Sequence, residues 1–177
     1  MSDTKTRDVP DRRVPFGASK AMGLVYRHND TKWPGKTEML LLRRAEHVRM
    51  FSNMWGPPAG GLEPKKDYSQ PPIKGFSYPD VLLEAVVRET LEETGLIIPK
   101  AHWRILAADG FHHQDGRPTV ATFFYAPYLR RDIKIDSEST DWGWFSLEGI
   151  RYLDERNKII PGVLHRVEHL FRIHRMC

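Results

Sequence analysis

Apolar residues gather along this chain in runs of two kinds. Residues 20–28 (KAMGLVYRH) and 38–44 (EMLLLRR) are mostly apolar runs of strand length, separated by NDTKWPGKT, whose Asn, Pro and Gly mark a loop. They predict a hairpin or two neighbouring strands. The stretch NMWGPPAGGLEP holds too much glycine and proline for a regular helix, and Gly60-Gly61 permits close backbone approach to a ligand. In SYPDVLLEAVVRETLEETG the period changes. Leu82, Leu83, Val86, Val87 and Leu91 make a helical apolar stripe. Ser77 and Asp80 have capping-box spacing, Pro79 suits a first turn, and Gly95 supplies a C-cap. Strand composition returns in HWRILAADGFHH, in residues 119–129 (TVATFFYAPYL) and in DWGWFSL. From Pro161 onward, Val163, Leu164, Val167, Leu170 and Phe171 mark a closing amphipathic helix. Strands, helix, strands, helix predict an α/β fold with a mixed sheet flanked by helices.

Composition narrows the class. With 177 residues and 40% hydrophobic content, the chain suits one domain over residues 16–177, preceded by a polar, proline-containing tail over residues 1–15 that reads as flexible. Its single cysteine is Cys177, which excludes an intrachain disulfide framework and a cysteine zinc cluster and points to a reducing, cytoplasmic compartment. No apolar run approaches the roughly 18 residues needed to cross a bilayer, so no membrane partner is expected. Lys and Arg number 27 against 23 Asp and Glu, a surplus of 27 − 23 = 4 that favours phosphorylated partners. Monomer and homodimer are both compatible with this composition.

The chemistry concentrates in RETLEETG, residues 88–95. On a helix Glu89 faces Glu92 and Glu93, and each like-charge pair costs roughly 0.2–0.5 kcal/mol. Their place near the helix C-terminus adds repulsion from the negative pole of the macrodipole. Two readings offset these costs: a solvated charged face in which Arg88 pairs with Glu84 and Glu92, or a site for a hard divalent cation with oxygen ligands. His112-His113 lack a further His or Cys at metal-ligand spacing, and His165, His169 and His174 read as surface positions. The chain has no GxxxxGK[ST] or GxGxxG motif and no Ser or Cys nucleophile signature.

Taken together, GGLEPKKD (60–67), RETLEETGL (88–96) and ESTDWGWFSL (138–147) resemble the Nudix hydrolases. Gly61, Asp67, Arg88, Glu89, Glu92, Glu93, Gly95 and Leu96 can fill the places of the Nudix box. Thr90 stands where the box has an apolar residue, and twenty residues separate Asp67 from Arg88 where the box has seven. Counting back without a gap puts Asp80 at the acidic position, so Asp67 and Asp80 both compete for it. The resemblance implies an α/β/α sandwich around a mixed sheet and Mg²⁺-dependent hydrolysis of a nucleoside diphosphate linked to X, with Mn²⁺ as a second ion. It implies that Glu92 and Glu93 are metal ligands, Glu89 a further ligand or the base, Arg88 an orienting group, and the Gly60 carbonyl a backbone ligand. Glu138, six residues before Trp144, matches a loop glutamate that serves as ligand or base in the nucleotide-cleaving branch; as a sequence feature alone it is an ordinary loop acid. Arg43 and Arg44 at a strand end, with Trp55, are candidates to hold base and phosphate or to pack at the core edge.

The RRAEHVRMFSNMWGPPAGG stretch and the Glu138-to-Trp144 spacing look like the nucleoside triphosphate branch. ADP-ribose and other sugar nucleotides are the alternative substrates, although the proline that often marks their hydrolases is His112 here. A reading from another class is a non-catalytic nucleotide- or RNA-binding module, against which the intact Arg-Glu and Glu-Glu pairs argue. Removing the thirteen residues Tyr68 to Asp80 would restore the box spacing. That segment reads either as a neutral excursion, which loop-closure entropy tolerates, or as a flap whose Tyr68, Phe76 and Tyr78 reach the substrate.

Overall fold

The computed structural model of the chain describes residues 18–29, 36–68, 80–112 and 118–174. Seven strands form one mixed sheet: β1 (Ala18–Asn29), β2 (Lys36–Arg44), β3 (Trp55–Gly56), β4 (Ala59–Gly61), β5 (Arg104–His112), β6 (Pro118–Pro127) and β7 (Ser139–Phe145). The helices are α1 (Pro64–Asp67), α2 (Val81–Thr94), α3 (Leu147–Glu155) and α4 (Val163–His174). Strand β1 pairs in parallel with β6 along one edge. Its other edge is divided, the first half pairing with β4 and the second with β2, both antiparallel. This fork brings the glycine segment against the middle of the sheet.

The run Met39-Leu40-Leu41-Leu42 is continuous because β2 is covered on both faces. Alternate side chains enter different cores. Met39 and Leu41 join Met22, Leu24, Ala121 and Phe123 beneath α3 and α4, where Ile150, Val163, Val167 and Leu170 are fully buried. Leu40 and Leu42 join Ala21, Val25, Phe124 and Ala126 beneath α2. Helices on both sides of a mixed sheet give the α/β/α sandwich that the sequence predicts.

Two features of α2 differ from the sequence expectation. The helix begins at Val81, so Asp80 is its N-cap, with left-handed backbone (φ 57°) and no side-chain cap bond. Ser77 and Pro79, the proposed partners of that start, lie outside the described residues, as do the rest of residues 69–79 and the 1–15 tail. Its buried face is also smaller and more polar than the apolar stripe: Ala85, Val86, Thr90 and Thr94 are buried, whereas Leu91 is 45% exposed. The reason is close packing on β1. A Cβ on Gly23 would lie 3.0 Å from Thr90 Oγ1 and 2.9 Å from the Trp103 ring, so a bulky residue at position 90 would not fit. At its other end Gly95 caps the helix as expected, with φ 70° and its N–H donating to the Leu91 carbonyl at 2.9 Å. Helices α1 and α3 go beyond the periodicity; α3 is signalled by Ser146, whose Oγ accepts from the Gly149 N–H at 3.2 Å.

Candidate active site

Helix α2 carries Arg88, Glu89, Glu92 and Glu93 along one side of its last turns, where the short strand β4 and helix α1 close on it. Arg88 is the hub. Its Nε and Nη2 grip the Asp67 carboxylate at 2.8 and 3.0 Å, and Nη2 also donates to the Gly61 carbonyl at 3.0 Å. Its Nη1 reaches Glu89 at 2.7 Å, Glu92 at 3.0 Å and Glu63 at 3.2 Å. Only the forked guanidinium offers enough donors for this, so lysine could not replace it. Hydrogen bonding to Asp67 above all holds its pKa far above the ordinary arginine value.

Asp67 therefore occupies the acidic place beside Arg88, and Asp80, at the far end of α2, does not contact the site. Asp67 is 1% exposed, and its Oδ2 also accepts the Glu63 N–H at 2.6 Å, which ties α1 to the loop before it. The sequence expectation that Arg88 pairs with Glu92 holds, but Glu84 instead meets Lys100.

Three environments separate the glutamates. Glu89 is half-buried, and burial raises its pKa despite the opposing pull of Arg88. Burial also acts upward on Glu92, but hydrogen bonds from Lys66 and Arg88 outweigh it and hold this exposed carboxylate below its ordinary value. Glu93 is 6% exposed, and burial pushes its pKa up to about 8 against the hydrogen bond it accepts from the Ala59 N–H at 3.0 Å.

The donor set suits a hard cation. Glu63, Glu89 and Glu92 each offer an oxygen within 4.8 Å of the others. Gly60 lies so close to Glu89 that a Cβ there would overlap the carboxylate, which keeps this stretch of backbone free for approach. Of the predicted ligands, Glu89 and Glu92 thus meet beside Gly60, while Glu93 is turned to the adjacent Ala59. Glu63 was not among the predicted ligands. Its signal was its place in GGLEPKKD, four residues before Asp67.

Ala59 leads to a cavity of about 570 Å³ on the opposite face of β4. Lys20, Arg44, Met50, Phe51, Phe111 and Asp109 are among its lining residues. Burial and the neighbouring Arg44 lower the pKa of Lys20, while Glu89 and Glu93 oppose that shift. The predicted Arg43-Arg44-Trp55 group is divided. The β2–β7 register shifts between the two arginines; Arg44 lines the cavity and donates to the Met50 carbonyl at 3.0 Å, whereas Arg43 is exposed and does not line it. Trp55 packs against the core beneath α3 and α4, edge-on to Phe145 at 4.9 Å, because β3 pairs into the sheet there. Glu138 is exposed, 3.9 Å from Arg44, and is not a member of the Glu63–Glu89–Glu92 group. Trp144 packs at the sheet edge against Tyr128 and beneath Arg27, and Trp142 is 38% exposed. His113 lies outside the described residues.

The family model of the NUDIX domain matches residues 21–166. The chain belongs to the Nudix family. Members of that family generally use divalent metal ions. A zebrafish (Danio rerio) relative named m7GpppN-mRNA hydrolase NUDT17 is 30% identical over 96 residues, covering 54% of this chain and 25% of its own length. This Nudix chain thus spans about a quarter of that relative. Among solved structures it is similar to the MutT protein from Methanosarcina mazei Go1, with 25% identity, a TM-score of 0.65, and coverage of 89% of this chain and 95% of that one. A Caenorhabditis elegans Ap4A hydrolase shares the fold at 20% identity and TM-score 0.62, over 89% and 98% of the two chains. In this Nudix fold Arg88 contacts the box residues Gly61, Asp67 and Glu89 despite the longer spacing between Asp67 and Arg88. Among the described residues no helix is long and apolar enough to cross a membrane.

Proposed function

We propose that this chain hydrolyses the diphosphate of a nucleoside diphosphate linked to X, with Mg²⁺ as the working ion, Mn²⁺ as a substitute, and nucleoside triphosphates as the first substrate class. The observation that carries this reading is the sharing of β4 by two features. On one side Glu89 and Glu93 lie against Gly60 and Ala59; on the other Ala59 walls a cavity of nucleotide size. Glu63, Glu89, Glu92 and Glu93 are the side chains that would hold the ion, which when bound neutralises phosphate charge and acidifies water.

The residues have distinct tasks. Arg88, fixed by Asp67, holds Glu89 and Glu92 in place before substrate arrives, so little reorganisation is left for the reaction. Glu89, half-buried with a raised pKa, accepts the proton of the attacking water. The water oxygen then bonds to phosphorus as the bridging phosphorus–oxygen bond breaks, and the leaving phosphate carries away the electron pair. Lys20 and Arg44 stand at the cavity's catalytic end and meet the anionic phosphates. Glu138, beside Arg44, is the second candidate base or ligand.

The test is a panel of nucleoside triphosphates, ADP-ribose, dinucleoside polyphosphates and capped RNA, assayed with Mg²⁺ and with EDTA. Capped RNA belongs in it because the zebrafish relative is named a cap hydrolase. Metal-dependent release of a nucleoside monophosphate or diphosphate supports the proposal. Salt-sensitive retention of RNA with no metal-dependent turnover would replace it with a binding module.

A further inference from the structure

One register row crosses four strands of the sheet. Asp109 on β5 pairs with Ala121 on β6, Ala121 with Lys20 on β1, and Lys20 with Gly61 on β4. Residues paired in this way share a face, and three strand spacings span about 14 Å. The row thus runs from the box glycine, beside the carboxylates, to Asp109 at the far wall of the cavity. Its charges are sorted. Lys20 on β1 and Arg44 on β2 line one end and Asp109 on β5 the other, with Ala121 and Phe123 of β6 between those strands; Met22, Phe51 and Phe111 also line the cavity.

Asp109 is built into place. Arg166 on α4 grips it with two hydrogen bonds, Nε to Oδ2 at 2.6 Å and Nη2 to Oδ1, and Arg166 itself touches His169. A carboxylate has about four acceptor sites, so each oxygen keeps a lone pair for a ligand. Its side chain is 31% exposed.

We propose that Asp109 reads the base of the substrate and selects guanine nucleotides; this rests on the diphosphate hydrolase reading and names its substrate class. With the phosphates at Lys20 and Arg44, the base lies among the phenylalanines with its edge toward Asp109. An ionised carboxylate only accepts hydrogen bonds. Guanine presents two adjacent donors, N1–H and the 2-amino group. Adenine and cytosine place a ring acceptor beside their amino donor, and uracil flanks its one N–H with carbonyls, so each turns a lone pair toward the carboxylate. Arg166 is the positioning residue that keeps both oxygens directed at one edge.

The experiment compares GTP, ITP and ATP in Mg²⁺, and equilibrium binding of GMP, IMP and AMP, for the wild-type chain, Asp109→Asn and Arg166→Gln. Inosine keeps N1–H and lacks the 2-amino group. Wild type should favour guanine over inosine by about ten- to a hundredfold in kcat/KM and in affinity, the scale of one bidentate base contact. Asp109→Asn should erase that ratio. Arg166→Gln should shrink it mainly through KM while leaving kcat near wild type. Should Asp109→Asn fold poorly with Arg166 unpaired, the double variant Asp109→Asn/Arg166→Gln removes both charges and carries the same expectation. Guanine-selective binding lost in Asp109→Asn without turnover of any triphosphate would remove nucleoside triphosphates as the hydrolysed substrate and leave the base assignment standing. Equal treatment of guanine and inosine by wild type, a preference that survives Asp109→Asn, or no binding of any mononucleotide overturns it.

Discussion

Replacing Glu93 with glutamine separates what this carboxylate costs the fold from what it gives the chemistry. In the ion-free chain burial raises its pKa from the ordinary 4.5 to about 8. The folded chain therefore keeps a proton that the unfolded chain releases near 4.5. That stabilisation is complete below the unfolded value, falls as pH rises, and is lost once pH passes about 8. The slope is at most about 1.4 kcal/mol per pH unit, so the interval sets a ceiling of about 5 kcal/mol. Glu93→Gln keeps the shape and an oxygen for the Ala59 N–H but does not titrate. Denaturant unfolding in EDTA should give similar stabilities for the two proteins near pH 5 and a widening advantage for the variant up to pH 8. Turnover in Mg²⁺ should fall by orders of magnitude. A stability difference that stays constant across this range would refute the burial argument, and full activity in the variant would remove Glu93 from the ligand set.

Other perturbations isolate single contacts. Thr90 is 1% exposed and its Oγ1 has no hydrogen-bond partner among the described residues, so Thr90→Val should raise stability by about 1 kcal/mol in urea unfolding. A loss instead would mean that the hydroxyl is satisfied. Gly60→Ala should abolish turnover with little change in melting temperature, because the added methyl displaces Glu89 rather than a core group; unchanged kcat would show that the Gly60–Glu89 approach is not used. Asp67→Ala leaves the Arg88 guanidinium without its main partner and should cost about 3 kcal/mol along with most activity, measurable by unfolding and assay together.

The parts of this architecture that were legible in the sequence are those set by local pattern. The unbroken apolar run of β2 follows from burial on both faces, and Gly95 announces the end of α2 through its left-handed backbone. The carboxylates of α2 were legible because their crowding is unfavourable without a reason. What needed three dimensions was every relation across strands. Asp67 and Asp80 could not be told apart from spacing, since the chain between Asp67 and α2 is longer than the box; contact with Arg88 decides it. Arg43 and Arg44 read as one pair in the sequence, whereas in the fold Arg44 lines the cavity and Arg43 is exposed. Lys20 and Asp109 carried no signal, because a single charge in a strand gains meaning only from the residue opposite it.

The like-charge problem on α2 is solved largely within the protein. Arg88 and Lys66 spread their donors over Asp67, Glu63, Glu89 and Glu92, so the carboxylates are gathered and oriented without relying on a cation. Glu93 is outside that network. Its compensation is a proton in the ion-free chain, which the raised pKa records. The two halves of the cluster therefore answer different needs. Arg88 with Asp67 makes a rigid frame, insensitive to pH near neutrality because guanidinium does not titrate there. Glu93 is the member whose charge depends on what occupies the site. A cation that draws on Glu93 must displace its proton, so its binding should release about one proton at pH 7 and tighten as pH rises toward 8.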